Sequence, residues 1–287
     1  MIYPTAQAWR DAPNKHVCLF AMSGLGKTYV SNMLRDAGGW FHYSVDYRIG
    51  TRYMGEHIAD NFKAEAMKNP FLAELLRSDS IYVASNITFE NLAPLSTYLG
   101  KPGDPARGGL SIEDYQRRQA QHMQAEALAT ADAVRFIDRA KQLYGYPNFI
   151  CDCSGSLCEV VDAAQPGDPL MTELSAHMLP IWIKGDAAHT DTLIKRFDRD
   201  PKPMCYSPDF LVNAWETYAE GRSEAEIDPD EFVRWTYTKA LAHRKPRYAA
   251  MAEWGVTVEG KEWESISSEA DFVDVIAAAI ERRTARS

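Results

Sequence analysis

No apolar run in the chain approaches the ~20 residues needed to cross a bilayer. The opening Met1-Ile2-Tyr3-Pro4 also lacks the basic segment and apolar core of a signal peptide. Neither a membrane anchor nor export is expected. Cysteines number five, an odd and small count that argues against a disulfide framework. Cys151, Cys153 and Cys158 have C-x-C-x4-C spacing but no second pair to complete the four ligands of zinc. Buried thiols at a strand end, in a reducing cytoplasm, are the expectation. Positive charge is in deficit, 31 Lys and Arg against 40 Asp and Glu for a net charge of −9. The surface as a whole does not suit nucleic acid, although a local basic patch is compatible with it. There is no internal repeat and no low-complexity tract. What is left is an ordinary soluble composition, 46% apolar and 25% charged over 287 residues. That length suits one large domain, or a core with a substantial insertion.

Within this background one segment stands out. Ala21-Met22-Ser23-Gly24-Leu25-Gly26-Lys27-Thr28 follows a short apolar run, His16–Ala21, and precedes Tyr29–Arg35, which has helical periodicity. Strand, glycine-rich turn, Lys-Thr and helix together form the context of a phosphate-binding loop. Glycines allow successive backbone N–H groups to converge on phosphate oxygens, and the helix adds the positive end of its dipole. Ser23, Gly24, Leu25, Gly26, Lys27, Thr28 and Tyr29 are the expected triphosphate contacts. Lys27 would reach the β- and γ-phosphates and the Thr28 hydroxyl would bind Mg2+. The usual first glycine is here Ala21, which must avoid a strongly positive φ.

Five apolar, β-rich runs read as interior parallel strands: His16–Ala21, Trp40–Val45, Asn148–Cys153, Leu179–Ile183 and Gly255–Val258. Helical patterns separate them, so an α/β fold is expected, its parallel sheet covered on both faces. Residues 54–147 read as a largely helical insertion, with helices over Met54–Met67, Pro70–Ser78, Glu90–Leu95 and Ser111–Leu143. Residues 97–109 form an exposed Pro/Gly loop, and 207–241 a second helical insertion whose aromatic residues read as core. Glu269–Arg283 is an amphipathic closing helix.

Open α/β sheets bind ligands at the carboxyl ends of their strands. The second run ends in Asp46, which could accept a proton from a substrate hydroxyl. Arg48 and Arg52, four apart on a starting helix, could grip an anionic acceptor. The alternative is a helix-capping Asp with solvated arginines. The third run ends in Asp152, placed as a Walker B carboxylate would be to hold Mg2+, or again as a cap. The turn Ser154-Gly155-Ser156 would offer backbone N–H groups to the acceptor. Arg196, Arg199 and Lys202 recur every three residues in segment 190–206. They read as a cationic lid over a triphosphate, or as a solvated helix face.

Together with Arg244, Tyr248 and Ala252 in Arg-x3-Tyr-x3-Ala spacing, these pieces resemble shikimate kinase and related small-molecule and nucleotide kinases. The resemblance covers the core. It implies a P-loop NTPase fold with sheet order 2-3-1-4-5, ATP and Mg2+ as cofactors, a lid of Arg196 and Arg199, and adenine packing on the lid. The turn after the third strand departs from the family's triple glycine, and the insertion is far longer, so a shikimate acceptor is not implied. The expected activity is transfer of the γ-phosphate to a small hydroxylated or phosphorylated metabolite, nucleoside or nucleotide, with Lys27, Asp46, Asp152, Arg196 and Arg199 catalytic. A polynucleotide or protein acceptor, served by Lys101, Arg107, Arg117 and Arg118, and a regulatory ATPase are the alternatives. The choice of ATP over GTP and the oligomeric state, including a homodimer, are not set by the sequence.

Overall fold

In the computed structural model, which describes residues 1–285, all five apolar runs are strands. Along the chain the elements are α1 (Ala6–Asp11), β1 (His16–Phe20), α2 (Lys27–Asp36), β2 (Trp40–Ser44), α3 (Val45–Arg48), α4 (Gly55–Ala66), α5 (Pro70–Arg77), α6 (Ala93–Leu99) and α7 (Ile112–Tyr144). There follow β3 (Asn148–Asp152), α8 (Leu157–Val160), α9 (Pro169–His177), β4 (Leu179–Lys184), α10 (Ala187–Arg199), α11 (Pro208–Ala219), α12 (Pro229–Ala252), β5 (Val256–Glu259), α13 (Gly260–Glu264) and α14 (Glu269–Thr284).

The chain divides into two compact units. Met1–Val45, Glu126–Pro201 and the chain from Arg234 on form the first. It holds a five-stranded, all-parallel sheet in the order β2-β3-β1-β4-β5, with helices around it. This is the strand order that the resemblance to the kinases implies. β1 is the middle strand, and its residues Val17–Phe20 are buried, as a strand covered on both faces requires. Register brings Leu19 beside Asp152, and Ser44 beside Asp152 on the other side, so three strands end together. Phe272 of α14 anchors the core: the rings of Trp9, Trp40 and Trp263 meet it edge-on at 6.3, 5.4 and 6.1 Å. Two of these indoles also donate hydrogen bonds, Trp9 to the Val273 carbonyl and Trp40 to Glu269.

Asp46–Ala125 and Lys202–Val233 form the second unit. Gln119 ties its parts together, donating to the Met204 carbonyl at 3.0 Å and accepting from the Tyr206 amide at 2.8 Å. Trp215 and Tyr218 pack edge-on against buried Phe232, which is the core role expected for these aromatics.

Three local expectations need correction. α6 begins at Ala93 rather than Glu90, because Pro94 favours the first turn and Asn91 accepts from the Ala93 amide to fix the start. Residues 97–109 are not a wholly exposed loop. α6 runs to Leu99, while Pro102 and Gly103 are buried and the Asp104 amide donates to the Ile227 carbonyl. Arg48 and Arg52 do not share one α-helical face, since Ile49–Tyr53 is a π-helical turn closed by the Met54 amide on the Ile49 carbonyl at 2.8 Å. Among the described residues no helix is long and apolar enough to cross a membrane.

Candidate functional site

The turn between β1 and α2 is tight and glycine-bearing. Gly24 and Gly26 have φ of +92° and +79°, the left-handed region that glycine enters without strain. A Cβ on Gly24 would lie 2.8 Å from Leu193 and 3.3 Å from the Arg196 guanidinium, so α10 passes directly over the loop there. Ala21 is buried and does not take a positive φ, so the missing first glycine does not distort the turn. Gly26 caps α2 without a side-chain hydrogen bond, leaving the first helical amides for other acceptors.

Lys27 is buried and donates to the Ala21 carbonyl at 3.2 Å, folding its ammonium back over the loop. The next residue, Thr28, donates its hydroxyl to Asp152 Oδ2 at 2.6 Å. Asp152 therefore meets the start of α2 rather than serving only the helix after β3. His42 of β2, fully enclosed, places Nε2 3.7 Å from the same carboxylate oxygen. The Trp263 indole lies beneath Gly26, 3.6 Å from where a Cβ would be.

The turn after β3 closes one side of the loop. A Cβ on Gly155 would come within 3.3 Å of the Ser23 amide nitrogen and 3.7 Å of the Ala21 carbonyl. Ser154 and Ser156 face inward instead. Their hydroxyls are 2.8 Å apart, and Ser156 donates to Glu126 of α7 at 2.6 Å. α12 binds the same segment: Tyr248 and Arg244 donate to the Gly155 carbonyl at 2.6 and 3.1 Å. Arg244 also donates to Glu159 at 2.7 Å, in an ion pair whose side chains are 1% and 0% exposed. Burial pushes the Tyr248 phenol well above its ordinary range, so it keeps the proton it donates.

Of the residues singled out in the sequence, Lys27, Thr28, Asp152, Gly155 and Arg196 thus gather around one loop in the first unit. Tyr29 and Arg199 are exposed, and Arg199 takes no hydrogen bond or ion pair among the described residues. Asp46, Arg48 and Arg52 belong to the second unit, where the Arg48 guanidinium lies over the Tyr53 ring at 5.7 Å. Three of the cations proposed as a polymer-binding patch are paired with acidic neighbours, Lys101 with Asp230, Arg107 with Asp228 and Arg117 with Asp114. Arg118 donates to Asn61 and the Tyr98 carbonyl. His42, Glu126 and Glu159 were not singled out by the sequence. Only the alternation along β2, which turns His42 and Ser44 to the same face, could have drawn attention to His42. The chain matches no protein-family model and no curated protein.

Proposed function

We propose that the chain is an ATP-dependent, Mg2+-requiring phosphotransferase of the P-loop kinase type. Its acceptor would be a hydroxyl or phosphate of a small metabolite, nucleoside or nucleotide. The observation that carries this reading is the 2.6 Å hydrogen bond between Thr28 and Asp152, one residue from the buried Lys27 ammonium. A hydroxyl and a carboxylate held together beside a cation form the hard-oxygen set that suits Mg2+ on a polyphosphate. The left-handed glycines, the open amides at the head of α2 and the Arg196 guanidinium over Gly24 fit the polyphosphate itself.

Bound there, Mg2+ would supply charge neutralisation and orientation of the β- and γ-phosphates. The chain supplies the rest. Lys27 and the 23–28 amides hold the phosphate tail, and Arg196 adds a cation over it, with Arg199 next along the same helix. We assign Asp46 to accept the acceptor's proton and Arg48 and Arg52 to grip its anionic group. A small acceptor is favoured over a polymer because Lys101, Arg107 and Arg117 already have carboxylate partners.

The test is a transfer assay with Mg-ATP against a panel of metabolites and nucleosides. Lys27→Ala should slow transfer by about 10²–10³-fold, the scale of removing one transition-state donor. Asp46→Ala should lose transfer while retaining Mg-ATP binding. Transfer at the wild-type rate by both variants would overturn the proposal.

A further inference from the structure

The turn after β3 is held far more firmly than a four-residue connection to a short helix requires. Five hydrogen bonds from α12 reach it, α8 or the residue that caps α8. Tyr248 and Arg244 share the Gly155 carbonyl, Arg244 also takes Glu159, and Arg247 takes the Cys158 and Val161 carbonyls. A sixth, from Ser156 to Glu126, ties it to α7. Two of these converge on a single carbonyl, that of Gly155, a residue that lies against Ala21 and Ser23 of the loop. There is no room between them: the Gly155 Cβ position is 3.3 Å from the Ser23 nitrogen. The same stretch of loop supplies the Ala21 carbonyl that holds the Lys27 ammonium.

We propose that Arg244 and Tyr248 are positioning residues for the terminal phosphate, acting through the Gly155 carbonyl. By fixing the Ser154–Ser156 turn against Ala21 and Ser23, they set the shape of the loop's entry, on the side where Lys27 is stored. This rests on the reading of the loop as a polyphosphate site. Among the described residues, α12 makes no side-chain hydrogen bond to the head of α2, at the other end of the loop. Loosening the clamp would therefore weaken a nucleoside triphosphate more than a diphosphate, which lacks the terminal phosphate that the clamp positions.

The geometry separates this role from simple stability. Arg244 uses Nε for Glu159 and Nη1 for Gly155. In Arg244→Lys one ammonium keeps a charge for Glu159 but cannot serve both partners in this fork. Tyr248→Phe removes only the hydroxyl and leaves the ring stacked near Phe20 and Trp182. Arg247→Met removes two bonds to the same segment and none to Gly155.

The experiment measures, by calorimetry with Mg2+, the affinities of ADP and a non-hydrolysable ATP analogue for the wild type and these three variants, with a thermal melt of each. Tyr248→Phe and Arg244→Lys should each lower the triphosphate-to-diphosphate affinity ratio by about fivefold to tenfold, one hydrogen bond's worth. Arg247→Met should keep the wild-type ratio even if its melting temperature falls. An unchanged ratio in folded Tyr248→Phe or Arg244→Lys, or a ratio that falls equally in Arg247→Met, overturns the clamp while leaving the loop reading in place. A wild type that binds neither nucleotide overturns the loop reading itself and the clamp with it.

Discussion

Glu159 is a residue whose replacement should carry a large local cost. Its carboxylate is wholly enclosed, and its strong partner is the equally enclosed Arg244. Removing one member of such a pair leaves an uncompensated charge in a poor solvent and typically costs about 3–5 kcal/mol. Glu159→Ala is expected to lose stability on that scale in urea unfolding. Glu159→Ala combined with Arg244→Met should lose less than the two single changes added, because the second change removes the stranded charge. A strictly additive double variant would show that the pair is not coupled. The sequence could not announce this residue. Thr28 is identifiable because its partners in the loop are its chain neighbours. Asp152 is identifiable because an acidic residue ends an apolar run. Glu159 and Arg244 are 85 positions apart, and neither has a local pattern that names the other.

Among the elements, the strands were the most legible, since a run of β-rich apolar residues has few other uses in a sheet covered on both sides. Helix boundaries depended on particular side chains. Pro94 moved the start of α6, and the π-helical turn after α3 separated two arginines that α-helical spacing would have aligned. The start of α10 carries its own pH dependence. Asp186 caps the helix and lies 2.7 Å from His189 Nδ1, while Glu264, beyond β5, lies 2.9 Å from Nε2. Hydrogen bonds to Asp186 and then to Glu264 raise the His189 pKa above its ordinary value. A group whose folded value is raised favours folding while it is protonated. That contribution is complete below the unfolded value, about 6.5, and is lost as pH rises through the higher folded value. The melting temperature should therefore fall between pH 6 and pH 8 more in the wild type than in His189→Gln. Equal slopes for the two proteins would remove His189 from the account. The effect also bears on the loop, since α10 carries Leu193 and Arg196 over Gly24.

At the scale of the molecule, the odd cysteine count agrees with the outcome: none of the five cysteines forms a disulfide, and all are buried. Burial raises the Cys151 thiol and pushes Cys158 up to about 11, which disfavours the reactive thiolate. Hydrogen bonds from Cys151 and Cys18 draw Cys153 the other way, yet it is only 1% exposed. The native protein should release almost no thiol to a colorimetric disulfide reagent over minutes, and all five in denaturant. Rapid native labelling would contradict the packing around β3. The second unit was less legible than the sheet. Its stability comes from pairings such as Gln119 with Met204 and Tyr206, drawn from stretches more than eighty residues apart. The central position of β1 has a further consequence for how the chain acquires its shape. Lys15, at the foot of β1, bonds the side chain of Asn148, 133 residues later, and β4 lies further on still. A ribosome-bound chain must therefore hold β1 with both edges bare through the synthesis of α2 to α7, and close it only late. Such long-range parallel pairing is slow and leaves sticky edges exposed, so nascent chains should depend on chaperones more than the finished protein's stability would suggest.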